Sequence, residues 1–369
     1  MKSLSKDLLS DISKNQKELL THGDFLKLSC ENEWSLPEPF SFVIHNAKNS
    51  DNSTTKVIVL DTGIISFEPS SHTSKDIVLS SAIHGNETAP IEICNDLIKQ
   101  LITGKIVAKE RVLFLFGNPA AINIGERFVE ENLNRLFSGE HEKQSPDGSL
   151  IINKERQRAK LLENSVRSFF KQGEKISLQR SRYHYDLHTA IRGSKNDKFA
   201  VYPFQNGKPW KKQQLLFLKQ CGIKTVLLSH SPTTTFSYFS SNEFGADAFT
   251  VELGKVKPFG ENNMNDFTEI KNTLLDLVTA SEIKLGDYNS SDFDIFEIYQ
   301  TINRKSENFS LNFADDVDNF TSFPLGYVLA HDGNNKITVK KAGEAIIFPN
   351  ANVAIGQRAL LTVIPTHVS

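Results

Sequence analysis

Short hydrophobic runs alternate with amphipathic segments along most of this chain. The hydrophobic runs are rich in Val, Ile, Leu and Phe and are bounded by turn residues, which is typical of buried strands. They are KVIVLDTGII (56–65), DIVLSSAI (76–83), RVLFLFGNP (111–119), YHYDLHTA (183–190), KFAVYPF (198–204), TVLLSHS (225–231) and AFTVELG (248–254). Because segments of helical periodicity lie between them, the pattern predicts an α/β domain with helices on the faces of its sheet.

The clearest helical pattern lies at 89–103. Its apolar side chains follow the spacing of a helix that buries one face. They are Ile91, Cys94, Leu97, Ile98, Leu101 and Ile102. Thr88 is the predicted N-cap, Pro90 suits the first turn, and Gly104 suits the end of the helix. The same kind of pattern predicts helices at 154–172 and 265–285.

The two ends of the chain follow different patterns. Residues 1–45 indicate a helical lead-in and a connector that contains the sequence SLPEPF. After residue 288 the runs become short, β-branched or aromatic, and Asn, Asp, Gly and Pro separate them. We therefore predict a lead-in at 1–45, a main domain at 46–287 and a small all-β domain at 288–369.

The charges are nearly balanced, with 42 Lys and Arg against 44 Asp and Glu and a formal net charge of −2. No polybasic surface is therefore expected, and neither nucleic acid nor an anionic membrane is an expected partner. The sequence MKSLSKDLLSDISKNQKELL lacks the apolar core of a signal peptide. The three cysteines (Cys30, Cys94 and Cys221) lie far apart and form no CxxC pair. We expect a reduced, cytoplasmic protein.

His84 and Glu87 lie in the sequence HGNE, directly between a predicted strand and the 89–103 helix. An imidazole and a carboxylate at this spacing can bind one metal ion from a turn. Open α/β sheets hold their sites at the carboxyl ends of strands, as here. A single HxxE pair is a weak motif, so a role in the turn or the helix cap is the alternative.

His188 is the third candidate ligand, because catalytic zinc usually takes three protein ligands and leaves one position for water. It ends the predicted strand 183–190, and strand alternation places it on one face with Asp186 and His184. The alternative is a core histidine bonded to Asp186. His184 is the competing ligand.

Arg127, Asn134 and Arg135 follow the Gly-Asn-Pro sequence at 117–119. Arginine grips a carboxylate with two parallel hydrogen bonds, and an adjacent Asn adds a directional donor. These residues are therefore candidates for substrate binding. The alternative is a surface patch of ion pairs with the neighbouring glutamates, Glu126, Glu130 and Glu131.

Glu252 is the only charged residue in the predicted strand AFTVELG. A carboxylate in such a run is seldom buried without a partner. A general base beside a metal-activated water would explain it. The alternative is a glutamate on an edge strand that faces solvent.

Five motifs occur in order: HGNE at 84–87, NP at 118–119, ERFVEENLNRLF at 126–137, DLHTA at 186–190 and VELGKVKPFGEN at 251–262. With this set the chain resembles the succinylglutamate desuccinylase/aspartoacylase family of zinc-carboxypeptidase-like amidohydrolases, over roughly residues 40–365. The resemblance implies a mixed sheet flanked by helices, as in zinc carboxypeptidases, followed by a small C-terminal all-β domain.

The resemblance also implies roles for single residues. One Zn²⁺ per chain would be bound by His84, Glu87 and His188. Glu252 would activate the water molecule at the metal and later pass its proton to the leaving amine.

Arg127 would help the metal polarise the scissile carbonyl, and Asn134 and Arg135 would hold the α-carboxylate of the amino acid. Asn132 departs from the pattern, because relatives carry an Asp there that orients the first zinc histidine. An amide still accepts that hydrogen bond but is neutral, so we expect lower metal affinity or lower basicity of the histidine ligand.

The implied reaction is hydrolysis of N-succinyl-L-glutamate to succinate and L-glutamate, the last step of arginine breakdown by the succinyl route. This small molecule carries three carboxylates, which suits a site with zinc and several arginines. For the succinyl carboxylate we predict Arg192, with Lys195 as the alternative.

Three other functions remain open at this point. The same site could serve an aspartoacylase-like deacylase of another N-acyl amino acid. A zinc-containing sensor of acyl amino acids is a different class, but a sensor has no need of a base such as Glu252. A peptidase is disfavoured because no leader segment is expected. The sequence leaves a homo-oligomer open.

Overall fold

The structure is a computed structural model and describes residues 13–45, 53–72, 74–145 and 147–368. Residues 1–12 of the predicted lead-in therefore lie outside the described residues. The helices are α1 (Lys14–His22), α2 (Phe25–Glu31), α3 (Thr88–Ile102), α4 (Pro119–Ile124), α5 (Lys154–Ile176), α6 (Lys212–Gln220), α7 (Phe236–Phe244) and α8 (Thr268–Thr279). None of the described helices is both long enough and apolar enough to cross a membrane.

The strands follow the same chain order. They are β1 (Phe40–His45), β2 (Thr54–Asp61), β3 (Ile64–Pro69), β4 (Lys75–Ser81), β5 (Arg111–Phe116), β6 (Ser181–Ala190), β7 (Lys198–Tyr202), β8 (Thr225–Leu228), β9 (Asp247–Lys255), β10 (Asp294–Asn303), β11 (Phe309–Leu311), β12 (Val328–Asp332), β13 (Asn335–Thr338), β14 (Ala345–Ile347) and β15 (Arg358–Thr366).

The chain divides into two units. The first unit comprises Met1–His188, Thr234–Ala248 and Lys257–Lys284, and the second comprises Thr189–Thr233, Phe249–Val256 and Leu285–Ser369.

In the first unit the strands form a mixed sheet in the order β1-β2-β3-β5-β4-β6. The first three strands and β5 pair antiparallel. β4 lies parallel to β5 on one side and to β6 on the other. Ser80 of β4 lies directly opposite Asp186 of β6 in this register. The carboxyl ends of β4 and β6 therefore meet at one edge of the sheet.

A buried apolar cluster joins this sheet to α5 and α7. Its members on the sheet and adjoining loops are Ile64, Val78, Ile83, Leu113, Leu115, Leu133, Leu136 and Phe137, and those on or beside the helices are Ala159, Leu162, Val166, Phe169, Phe170, Phe236, Phe239 and Ala246. Burial of these side chains holds both helices against β4, because each Å² of apolar surface removed from water contributes roughly 25 cal/mol of stabilising free energy.

The second unit consists mainly of strands. One sheet has the order β9-β7-β8-β10-β15-β14, and a separate antiparallel sheet has the order β11-β12-β13. β8 lies parallel to both β7 and β10, whereas β15 lies antiparallel to β10 and β14. The predicted α/β class with a mixed sheet and a small β region is confirmed.

Two local predictions were wrong. The run at 56–65 is not one strand but the start of a hairpin, because the chain turns at Gly63, which has a φ of +64°. A Cβ atom at Gly63 would lie 2.4 Å from the Phe116 carbonyl oxygen, so only glycine fits there. Helix α3 begins at Thr88 itself, and the N-cap is Glu87, which makes no side-chain capping bond.

The helix predicted at 265–285 is shorter than expected. A 3₁₀ turn at Met264–Phe267 precedes α8, which ends at Thr279. By contrast, α5 continues four residues beyond its predicted end at residue 172, to Ile176.

Candidate metal centre

Three buried side chains converge at the carboxyl ends of β4 and β6. His84 follows β4, Glu87 precedes α3, and His188 lies near the end of β6. One ligand atom of each residue lies within 4.8 Å of those of the other two. Each residue is at most 2% exposed. The sequence HGNE and the strand end at 188 therefore form one potential cation site in the first unit.

Close backbone packing fixes the turn that carries His84 and Glu87. A Cβ atom at Gly85 would lie 2.1 Å from the backbone carbon of Ala121, the third residue of α4. Asn118 caps α4 by accepting a hydrogen bond from the Ala121 N–H through Oδ1. The Gly-Asn-Pro sequence thus builds the short helix against which the turn with His84 and Glu87 packs.

The two histidines face Glu87 with the same ring nitrogen. His84 Nδ1 lies 2.8 Å from Glu87 Oε1, and His188 Nδ1 lies 2.8 Å from Glu87 Oε2. The opposite nitrogen of each ring contacts a polar side chain behind it. His84 Nε2 lies 3.0 Å from Asn132 Oδ1, and His188 Nε2 lies 2.9 Å from Asp186 Oδ2.

Asn132 determines where the proton of His84 lies. Its Oδ1 also accepts a hydrogen bond from the Asn134 backbone N–H at 3.0 Å, so this atom is the amide oxygen. His84 must then donate from Nε2, and in the neutral ring Nδ1 carries a lone pair. Nδ1 and the Glu87 carboxylate are both acceptors, and two acceptors at 2.8 Å need a proton or a cation between them.

The electrostatics agree with that arrangement. Burial and the nearby Arg127 guanidinium lower the pKa of His84 to about 4, so its ring is neutral at pH 7. Burial opposes ionisation of Glu87, but His84 and His188 hold the pKa of its carboxyl well below the usual value. Burial also lowers the pKa of His188, yet Asp186 and Glu87 outweigh it and raise that pKa well above the usual value.

This donor set fits zinc. Two imidazole nitrogens and one carboxylate are a usual ligand set for catalytic Zn²⁺, and outer hydrogen bonds to the second ring nitrogens orient such ligands. Both outer bonds are present here. His84 and His188 could each hold the ion through Nδ1, and Glu87 could hold it through its carboxylate.

His184, the competing ligand in the sequence, lies outside this group. Its Nε2 lies 2.8 Å from Ser80 Oγ, and its Nδ1 lies 2.6 Å from Ser240 Oγ. Burial lowers the pKa of His184 to about 4. Both ring nitrogens are therefore engaged by serine hydroxyls.

Arg127 lies beside the potential ligands. Its Nη1 donates to Glu87 Oε1 at 2.7 Å, while its side chain is 27% exposed. The alternative of a surface ion pair with the neighbouring glutamates does not describe it, since Glu131 pairs with Arg156 instead. The contact with Glu87 also explains the missing cap of α3, because that carboxylate is directed towards Arg127 and the histidines.

Asn134 and Arg135 lie on the 3₁₀ turn Leu133–Arg135. Asn134 is 5% exposed, and its Oδ1 accepts the Phe236 N–H at the start of α7. Arg135 Nη1 donates to the Asn134 carbonyl oxygen at 3.0 Å.

Glu252 and Arg192 belong to the second unit. Glu252 is 8% exposed in β9, opposite Phe199 of β7, so it is not the solvated edge-strand glutamate considered as its alternative. The Arg192 guanidinium lies 3.4 Å from the carbonyl oxygens of Val317 and Pro349.

The sequence argument missed Ser80 and Ser240, which contact the ring of His184. A signal existed for Ser80, because DIVLSSAI places serines in an otherwise apolar strand. Nothing local marked Ser240, which comes from a helix 56 residues away from His184 along the chain.

Two family descriptions match the chain. The succinylglutamate desuccinylase/aspartoacylase catalytic domain matches residues 73–278, and the AstE/AspA barrel-sandwich hybrid domain matches residues 291–366.

Succinylglutamate desuccinylases from other organisms match nearly the whole chain. A succinylglutamate desuccinylase of Idiomarina loihiensis is 53% identical over 342 residues, which cover 93% of this chain and 96% of that protein. One of Pseudoalteromonas atlantica is 50% identical over 357 residues, covering 95% and 98%. The solved structure of a succinylglutamate desuccinylase from Vibrio parahaemolyticus has a TM-score of 0.80 at 35% identity and covers 92% of this chain and 94% of its own.

Proposed function

The chain belongs to the succinylglutamate desuccinylase/aspartoacylase family, and we propose that it hydrolyses N-succinyl-L-glutamate to succinate and L-glutamate. The observation that carries this proposal is the convergence of the ligand atoms of His84, Glu87 and His188 within 4.8 Å. Near-full-length relatives that carry the name of this activity support the choice of substrate.

One zinc ion per chain is the proposed cofactor, held by His84, Glu87 and His188. When bound, zinc would lower the pKa of a coordinated water molecule and polarise the amide carbonyl. The acceptor-to-acceptor contact between His84 and Glu87 supports a cation at this place.

Glu252 is the proposed general base and acid. Its carboxylate takes a proton from the attacking water as the new C–O bond forms at the succinyl carbonyl. The same proton is then given to the glutamate nitrogen as the C–N bond breaks, so that the amine leaves neutral. Burial of Glu252, at 8% exposure, supports this role because a carboxylate is seldom buried in an apolar strand without a structural or functional reason.

The proposed substrate contacts are charge-assisted. Arg127 stabilises the negative charge that develops on the carbonyl oxygen, and its partial exposure leaves donors available. Asn134 and Arg135 hold the α-carboxylate. Arg192 remains our proposal for the succinyl carboxylate, where it would exchange long contacts to backbone carbonyls for a charged partner.

The pathway, the compartment and the domain limits are also proposals. We assign the reaction to the end of arginine breakdown by the succinyl route and place it in the cytoplasm, where cysteines stay reduced. Cys30, Cys94 and Cys221 are all free thiols in the structure. We propose domains at 46–287 and 288–369, which contain the matched family ranges of 73–278 and 291–366 respectively.

A panel of N-acyl amino acids tests the proposal, with the acyl chain and the amine varied separately. We expect kcat/KM to be highest for N-succinyl-L-glutamate and to fall when either carboxylate-bearing part is removed. Preference for N-acetyl-L-aspartate would indicate an aspartoacylase-like deacylase. Binding of N-succinyl-L-glutamate without cleavage by the zinc-loaded protein would indicate a sensor and contradict the proposal.

A further inference from the structure

A series of hydrogen-bonded polar side chains extends from His188 into the core of the first unit. Asp186 contacts His188, Ser80 contacts Asp186, His184 contacts Ser80, and Ser240 contacts His184. The consecutive heavy-atom distances are 2.9, 2.6, 2.8 and 2.6 Å. Asp186, Ser80, His184 and Ser240 are all 0% exposed. We call Ser80, His184 and Ser240 the serine–histidine chain.

The direction of each hydrogen bond follows from the donors available. A carboxylate only accepts, so the single Ser80 hydroxyl proton must point to Asp186 Oδ1. Ser80 Oγ therefore accepts from His184, which must carry its proton on Nε2. In the neutral ring Nδ1 is then an acceptor, and the Ser240 hydroxyl donates to it.

All the donors consequently point towards Asp186. One carboxylate oxygen accepts from Ser80 and the other from His188 Nε2. Hydrogen bonds that run in one direction polarise one another and strengthen the last bond of the series. The two bonds together fix the plane of the Asp186 carboxylate relative to the His188 ring.

The serine–histidine chain also connects three separate elements of secondary structure. Ser80 lies on β4, His184 on β6 and Ser240 on α7. Phe236, one turn before Ser240, packs edge-on against the His184 ring at a centroid distance of 4.6 Å. The imidazole is therefore held both by its two hydrogen bonds and by an aromatic contact.

We propose that Ser80, His184 and Ser240 are positioning residues that act through Asp186 to direct His188 Nδ1 towards the metal. This inference rests on the metal site of the proposed function. It assigns His184 a task that is neither ligation nor proton transfer to substrate. The competing explanation is that the serine–histidine chain only fills the core.

Zinc affinity distinguishes the two explanations, because core packing by itself alters stability rather than metal binding. The full-length protein and its variants are stripped of metal and titrated with Zn²⁺ against a competing chelator at fixed pH. Ser80→Ala should lower zinc affinity by up to about 10-fold, the lower end of the range for a direct outer partner of a metal ligand, because Ser80 acts on His188 only through Asp186. His184→Phe keeps a ring in place and should lower affinity several-fold.

Ser29→Ala is the matched control. Ser29 is also 0% exposed in the first unit, where its Oγ donates to the Phe25 carbonyl and accepts from the Gly63 N–H. The Ser29→Ala variant should be less stable than the native chain, while its zinc affinity should stay within about twofold of the native value.

A double-mutant cycle tests the route of the effect. If Ser80 acts through Asp186, then Ser80→Ala should change zinc affinity by less than about twofold in an Asp186→Asn background. A full-sized effect in that background would overturn the inference. So would Ser80→Ala and His184→Phe variants that bind zinc as tightly as the Ser29→Ala control, or a native chain that does not bind zinc.

These measurements need no substrate, so they separate the inference from the proposed reaction. Zinc binding with the expected ranking, but without cleavage of N-succinyl-L-glutamate, would leave the positioning role in place and remove the proposed activity.

Discussion

Strand β4 has buried charge at both ends, and the two ends are built differently. At its amino end, Asp76 accepts hydrogen bonds from Arg111 at 2.6 Å and from Arg180 at 2.8 Å. Arg111 also contacts both carboxylate oxygens of Glu68. At its carboxyl end, Glu87 lies between His84 and His188.

The difference lies in the match of donors and acceptors. At the amino end, two guanidinium groups meet two carboxylates, so the charges cancel and each contact joins a donor to an acceptor, although Asp76 Oδ2 has no hydrogen-bond partner among the described residues. At the carboxyl end, a neutral imidazole nitrogen faces a carboxylate oxygen, so two acceptors meet unless a proton or a cation lies between them. Burial and charge alone therefore do not distinguish the two ends, whereas two buried acceptors in direct contact mark the carboxyl end as a candidate cation site.

The largest expected effect concerns the carboxyl end itself. His84→Ala and His188→Ala should each abolish stoichiometric zinc binding and, with it, measurable hydrolysis of N-succinyl-L-glutamate. Metal analysis of the purified proteins checks the first result. His141→Ala is the control, since His141 is also buried in the first unit and its Nδ1 contacts the Leu136 carbonyl. Full zinc content in both ligand variants would remove the assignment.

Glu252 extends the comparison to the second unit. Glu252→Gln keeps the shape of the side chain but can neither accept nor return the proton. We expect zinc to be retained and kcat to fall by at least ~10²–10⁴-fold, as for a lost general acid–base.

Glu344→Gln is the control for that variant, because Glu344 is a 1% exposed glutamate of the second unit that accepts from the backbone N–H of Lys340. Steady-state kinetics decide the matter. Turnover of the Glu252→Gln variant within a few-fold of the native rate would exclude this residue from the mechanism.

The amino end should affect stability alone. Asp76→Asn leaves Arg111 and Arg180 beside a neutral amide in a buried place, which should lower the free energy of unfolding by about 3 kcal/mol. Zinc affinity and kcat/KM should stay within about twofold of the native values. Urea unfolding and a zinc titration measure the two quantities. A large loss of zinc affinity would show that the two ends of β4 are coupled.

The smallest expected effect is a gain. Asn132→Asp would place a charged acceptor behind His84 Nε2, now 3.0 Å from the amide oxygen, and should make the imidazole a better ligand. We expect zinc affinity to rise several-fold with little change in stability. A chelator competition measures it, and an unchanged or lower affinity would contradict the role given to Asn132.

Much of this site could be predicted from the sequence because its parts are local. A strand end, a tight turn at Gly85 and a helix start are adjacent in HGNE, so His84 and Glu87 had to lie together. Strand alternation likewise placed Asp186 and His188 on one face. The five ordered motifs then identified the family, and the matched ranges confirm it.

The tertiary structure decided which residue meets which across the core. Strands covered on both faces are continuous apolar runs, so β4 has no alternation from which its register with β6 could be derived. Only that register puts Ser80 opposite Asp186, and only the packing of α7 brings Ser240 to His184. The same contacts favour His188 over His184 as the candidate ligand, because serine hydroxyls engage both ring nitrogens of His184. A residue type and its neighbours along the chain determine what chemistry is available, but the position of a proton on a buried ring depends on partners that folding brings from elsewhere in the chain.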